Sequence, residues 1–112
     1  MLPNPMRIAL TLSAGLTIPA MLAWAALAAG DAANGEQLAR RWCAACHVVS
    51  PDQAKAGTEA PTFASIGQRP DFDAGKLALF LLEPHPKMPN MSLSRREATD
   101  LAAYIAKLGK AQ

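Results

Sequence analysis

Apolar positions recur with a helical period in three stretches of this chain. In the first, Leu38, Trp42 and Cys46 return every fourth residue, which lays them along one helix face. Asp31 and Asn34 are both suitable N-caps, so this helix is expected to run from one of them to Cys46. The second stretch lies between Asp73 and Glu83, with Leu77, Phe80 and Leu81 as its apolar face and Pro84 as its stop. The third opens on Ser94-Arg95-Arg96-Glu97, a capping box directly before an apolar run. Leu101, Ile105 and Leu108 form its stripe, with Tyr104 beside them. Lys107 and Lys110 suit the negative end of the helix dipole, and Gly109 is expected at C′. No stretch alternates apolar and polar residues long enough to predict a strand, so the fold class is all-α. Between the helices, Val48–Gln68 and Pro84–Leu93 are proline-containing and read as stiff, specified loops.

A further apolar run differs in kind. From Ile8 to Ala29 there is no charge, Arg7 precedes the run, and Ala26-Leu27-Ala28 ends it with small residues. That order of features is a secretory signal with an A-x-A cleavage box. The alternative is an uncleaved anchor, since the run is long enough to span a bilayer; Pro19, Gly15 and the small residues at its exit favour removal. The expected organisation is a signal peptide over 1–28 and one small domain over 29–112, exported to the periplasm. The signal also inflates the hydrophobic content of 51%. A formal net charge of +2, with no Lys/Arg run, excludes a nucleic-acid binder. A domain this short has little core of its own and usually needs a staple, a metal or a cofactor. Two cysteines cannot make a disulfide scaffold.

The cysteines lie in Cys43-Ala44-Ala45-Cys46-His47. C-x-x-C-H is the pattern of covalent haem attachment. Each thiol adds to one vinyl group, and the two intervening residues let both thioethers reach the same haem. The adjacent His47 can then ligate the iron through a neutral imidazole nitrogen. An export signal fits, because such attachment takes place outside the cytoplasm, where free thiols would otherwise oxidise. Three other uses of the motif compete. A thioredoxin-like pair needs a strand–helix context, zinc would need both Cys and both His, and a disulfide across two residues would be strained and close almost no loop.

With the helices, the haem motif and Met88-Pro89 together, residues from about Gly30 to Leu108 resemble the small bacterial class I cytochromes c. The matching pieces are Cys43-Ala44-Ala45-Cys46-His47, Met88-Pro89 and the run from Leu93 to Leu108. The resemblance implies the cytochrome c fold: three or more helices wrapped around one covalently bound haem c, the first and last crossing closely. It places Gly35 at that crossing, eight residues before Cys43, opposite Leu101 and Tyr104. Ala39 stands where the family usually has an aromatic, and Trp42 or Leu38 is expected to compensate. The resemblance further implies that the carbonyl of Pro61, within Glu59-Ala60-Pro61-Thr62-Phe63, accepts the free N–H of His47 and fixes its tautomer. Gln68 and Arg69 are candidates for the haem propionates by position alone.

The sixth iron ligand has three candidates in Pro84-His85-Pro86-Lys87-Met88-Pro89-Asn90-Met91. His85 would give bis-histidine iron of lower potential, and Met91 lies only three residues before Ser94. Met88, six residues before Ser94 and sixteen before Tyr104, has the family's spacing, and Pro86 and Pro89 restrict its backbone. Otherwise Met91 fills core space and His85 is a surface residue capping the second helix. With His47 and Met88 both bound, the iron has no open position, so the expected function is electron transfer rather than catalysis. The expected partners are a donor dehydrogenase and an acceptor oxidase, met as a monomer or as a subunit of a redox complex. The haem edge is expected among Ala44, Ala45, Val48, Pro86 and Pro89, with Lys55 and Lys87 around it. A permanently bound haem subunit is the alternative, and a ligand-sensing or peroxidase-type protein follows if the Met ligand is labile.

Overall fold

The computed structural model describes residues 29–83 and 85–111; the expected signal segment, 1–28, and Pro84 lie outside the described residues. Four helices are present: α1 (Ala32–Trp42), α2 (Phe63–Gly67), α3 (Ala74–Leu82) and α4 (Arg95–Lys110), with no strand among the described residues. α4 packs against each of the other three. The last helix is therefore the spine on which the rest is arranged.

Of the two N-cap candidates for α1, the backbone uses Asp31, whose carboxylate accepts from the N–H groups of Ala33 and Asn34. Asn34 instead donates from Nδ2 to Asp100 on α4 at 2.8 Å, while Asp31 N donates to the other oxygen of that carboxylate at 2.7 Å. Asp100 is buried, and these two donors satisfy it while fixing the start of α1 against α4. The helix does not reach Cys46. The Ala39 carbonyl accepts from both Cys43 N and Ala44 N, so the i→i−4 register breaks there. The chain then winds through a tight turn in which Cys46 N and His47 N both donate to the Cys43 carbonyl.

This early end changes the buried face. Gly35, Leu38 and Ala39 point inward, whereas Trp42 is 50% exposed and does not compensate for the small Ala39. Leu38 does join the core, and aromatic volume comes from Phe63 and Tyr104, whose rings meet edge to face with centroids 6.5 Å apart. Phe63 belongs to α2, which lies inside the segment expected to be all loop. Thr62 caps it by accepting from Ser65 N. Five residues are too few for a periodic pattern to show.

α3 begins at Asp73, which accepts from Lys76 N at 2.8 Å. Leu77 and Leu81 pack against the core, but Phe80, expected on the same face, turns outward and is about half exposed. No residue of α3 is fully buried. At the start of α4 both arms of the capping box form, and the backbone N–H of Ser94 holds the Glu97 carboxyl below its usual range. Gly109 is not the C′ residue expected: the helix continues through Lys110 to a C-cap at Ala111. Its missing side chain serves a crossing instead, since a Cβ on Gly109 would overlap the carbonyl of Gly67 in α2.

Candidate functional site

The turn after α1 carries the haem motif and is fastened almost atom by atom. Gln53 Nε2 donates to the carbonyls of Ala44 (3.0 Å) and His47 (2.9 Å), and its Oε1 accepts from Val49 N (2.9 Å). Gly57 N donates to Ala45 O, and Thr58 Oγ1 donates to Cys46 O at 2.7 Å. The four carbonyls from Ala44 to His47 are thus all taken by residues of the 53–58 segment. Further along, Phe63 N donates to Val48 O and the Tyr104 hydroxyl donates to Val49 O at 2.6 Å, tying the motif to α2 and α4. On the outside, Arg40 bridges Glu36 and Asp52, and its hydrogen bond holds the Asp52 carboxyl down to about 2.

Cys43 packs against the core, Cys46 is exposed, and both thiols are free. Burial, with a smaller contribution from Cys46, pushes the Cys43 thiol up to about 11. A redox-active C-x-x-C needs the opposite, a thiol whose pKa is lowered towards neutrality. The zinc alternative also lacks its ligands: among the described residues no group of three or more His, Cys, Asp and Glu is placed to hold a metal.

His47 is buried and lies against Phe63, with ring centroids 5.4 Å apart. Its Nδ1 is 2.6 Å from Pro61 O. A carbonyl oxygen only accepts, so Nδ1 carries the proton and Nε2 is left with the lone pair a metal requires. Two free thiols three positions apart, followed by an imidazole in the ligating tautomer, form a donor set that fits haem c.

On the other loop, Met88 is half-buried and its Sδ lies 3.2 Å from His85 Nε2. His85 Nδ1 donates to Glu83 O, the C-cap carbonyl of α3, so the capping role is present together with the sulfur contact. Met91 is also half-buried, and Ser92, in the left-handed region at φ 51°, turns the chain between it and the α4 cap. Gln68 caps the C-terminus of α2, and both it and Arg69 are exposed. Ala45, Pro86, Pro89, Lys55 and Lys87 are exposed, while Ala44 and Val48 are half-buried. A groove of about 520 Å³ between α3 and α4, lined by Ala74, Ala78, Leu79, Leu82, Thr99 and Ala102, contains none of the candidate ligands.

Sequence reasoning missed Gln53 and Thr58. Neither belongs to a periodic pattern, and an amide or hydroxyl in a loop carries no mark of the carbonyls it will meet.

The family described as "Cytochrome C oxidase, cbb3-type, subunit III" matches residues 30–105 of this chain. A relative named Cytochrome c-552, from Bradyrhizobium diazoefficiens, is 61% identical over 80 residues, which cover 71% of this chain and 77% of the relative. No solved structure matches.

Proposed function

The chain belongs to the small monohaem c-type cytochromes and carries electrons on a haem c bound through Cys43 and Cys46; from that membership we propose that it works in the periplasm, with His47 and Met88 as the axial ligands. When bound, the haem supplies a reversible one-electron iron couple. The observation that carries the ligand reading is the 2.6 Å contact of His47 Nδ1 with Pro61 O, which orients the imidazole and fixes its tautomer. The fastened turn around it keeps the proximal side still, as a carrier that must gain and lose an electron with little rearrangement requires. Pro86 and Pro89 restrict the backbone on either side of Met88. Two protein ligands leave no position for a substrate, so the protein is a carrier and not an enzyme.

Met88→Ala tests this. The oxidised variant is expected to lose the near-infrared sulfur-to-iron band, and its potential to fall by on the order of 0.1 V, a fraction of the range that axial ligands span. If the band survives in Met88→Ala and disappears in Met91→Ala, the ligand is Met91.

Residues 1–28 act in this reading as the export signal, and a donor dehydrogenase and an acceptor oxidase are the partners. In this reading they meet the exposed small and apolar residues Ala45, Pro86 and Pro89, and Lys55 and Lys87 are exposed as well. Transient redox contacts bury under about 1,200 Å² and release quickly. Removal of Arg7 with the signal leaves a formal charge of +1, so electrostatic steering is weak. The rate of reduction by a donor should therefore change only shallowly with ionic strength; a steep fall in the rate as salt rises contradicts it. The description of the matched family favours a second reading, a haem subunit that stays docked in an oxidase. Size exclusion of a native extract separates a free carrier from that subunit.

A further inference from the structure

Met88 shares its position with a second donor. His85 Nε2 is 3.2 Å from Met88 Sδ, and His85 Nδ1 is 2.7 Å from Glu83 O. Because the carbonyl only accepts, Nδ1 holds the proton, and in the neutral ring Nε2 carries a lone pair. A thioether sulfur likewise offers lone pairs and no hydrogen. In this tautomer the contact is no hydrogen bond: two metal-binding atoms lie 3.2 Å apart on one short loop.

The imidazole is also held in place. It stacks on Phe80 with centroids 4.2 Å apart and planes 22° from parallel, which gives the outward turn of Phe80 a purpose. Met88 N donates to His85 O at 3.4 Å, closing the short loop between the two residues. His47 is prepared in the same manner, with Nδ1 on a backbone carbonyl, Nε2 free and an aromatic ring alongside.

We propose that His85 is a reserve sixth ligand, poised to take the place of the Met88 thioether at the iron. This rests on the reading of Met88 as the resident ligand. One iron–sulfur bond breaks and one iron–nitrogen bond forms. Nδ1 keeps its proton on Glu83 O, so no proton moves, and no electron is exchanged. Imidazole is a harder donor than a thioether, so the exchange is favoured in the ferric state. Its consequence is an iron that stays six-coordinate, and closed to small ligands, when the thioether leaves.

The test compares holoproteins at neutral pH. Met88→Leu removes the sulfur at nearly constant volume. It is expected to lose the near-infrared sulfur band yet remain low-spin, with the paramagnetic resonance signature of bis-imidazole iron. Met88→Leu/His85→Ala should turn high-spin. The reduced single variant should bind carbon monoxide on the order of tenfold more slowly than the double variant, because a tethered ligand competes at high effective concentration. His85→Ala alone should keep the sulfur band. Met88→Ala is carried in parallel as a second background, so one failed assembly leaves the readout intact. A high-spin Met88→Leu, or a double variant that stays low-spin, overturns the reserve-ligand role while leaving Met88 as the ligand. A wild-type protein without the sulfur band, or a Met88→Leu that retains it, overturns the Met88 assignment and this inference with it.

Discussion

Replacing Cys43 and Cys46 together with alanine is expected to abolish covalent haem and nearly all recoverable folded protein. The two thioethers join the cofactor to the turn that ends α1, the same turn that Gln53, Gly57 and Thr58 hold to the following loop. The protein around it is poorly provided with core. α3 buries no residue completely, and Leu79 and Phe80 are 65% and 48% exposed. Domains this small bury a modest share of their surface, and typical stabilities are only about 5–15 kcal/mol. When a bound group is part of the native structure, its binding free energy is folding free energy. Haem staining after denaturing electrophoresis, together with helical circular dichroism, measures both losses. Each single variant retains one thioether and should give an intermediate yield. A double variant with full helical signal and no haem would falsify the view of the cofactor as a core component.

Gly35→Val should be the most damaging single change away from the haem ligands. A Cβ at this position would overlap the Asp100 carbonyl and lie 2.9 Å from Tyr104 Cβ. Backbone cannot yield as a flexible side-chain tip does, so α1 must lift from α4. Lifting it also pulls Asp31 and Asn34 away from the buried Asp100 carboxylate, leaving a charge without its donors. Overpacking alone costs about 1–3 kcal/mol, and the stranded carboxylate brings the expected loss to about 4 kcal/mol. In a domain of this size each kcal/mol moves the melting temperature by roughly 4–8 °C, so thermal melting of the holoprotein should show a drop of tens of degrees. A shift of only a few degrees would mean that the helices do not cross as closely as the structure places them.

The haem motif, the α4 capping box and the span of α3 between Asp73 and Glu83 were all legible in the residues. The signals there are short-ranged: thiols at fixed spacing, and a side-chain oxygen within reach of its own helix's first N–H groups. The Gly35 crossing was legible through resemblance to a family. Pro61 was singled out in the same way, and the structure sets its carbonyl at His47 Nδ1. The end of α1 was not legible. Leu38, Trp42 and Cys46 keep the helical period, yet the backbone leaves the helix at Cys43, where the Ala39 carbonyl takes two donors.

By itself the sequence determined an all-α chain, where α3 and α4 begin, and the haem-attachment motif from Cys43 to His47, because periodicity, capping and covalent spacing act within a few residues. Tertiary structure alone decided the role of Gly109, the outward turn of Trp42 and Phe80, the grip of Gln53 and Thr58, and the approach of His85 to Met88. Gly109 reads locally as a helix stop, but α2 crosses α4 at that point and only a residue without a side chain admits the Gly67 backbone. Gln53 reads as a polar loop residue until the folded turn brings the carbonyls of Ala44 and His47 to its amide. A residue's type states which hydrogen bonds and contacts it can make. Which partner arrives is settled by how the backbone closes on itself.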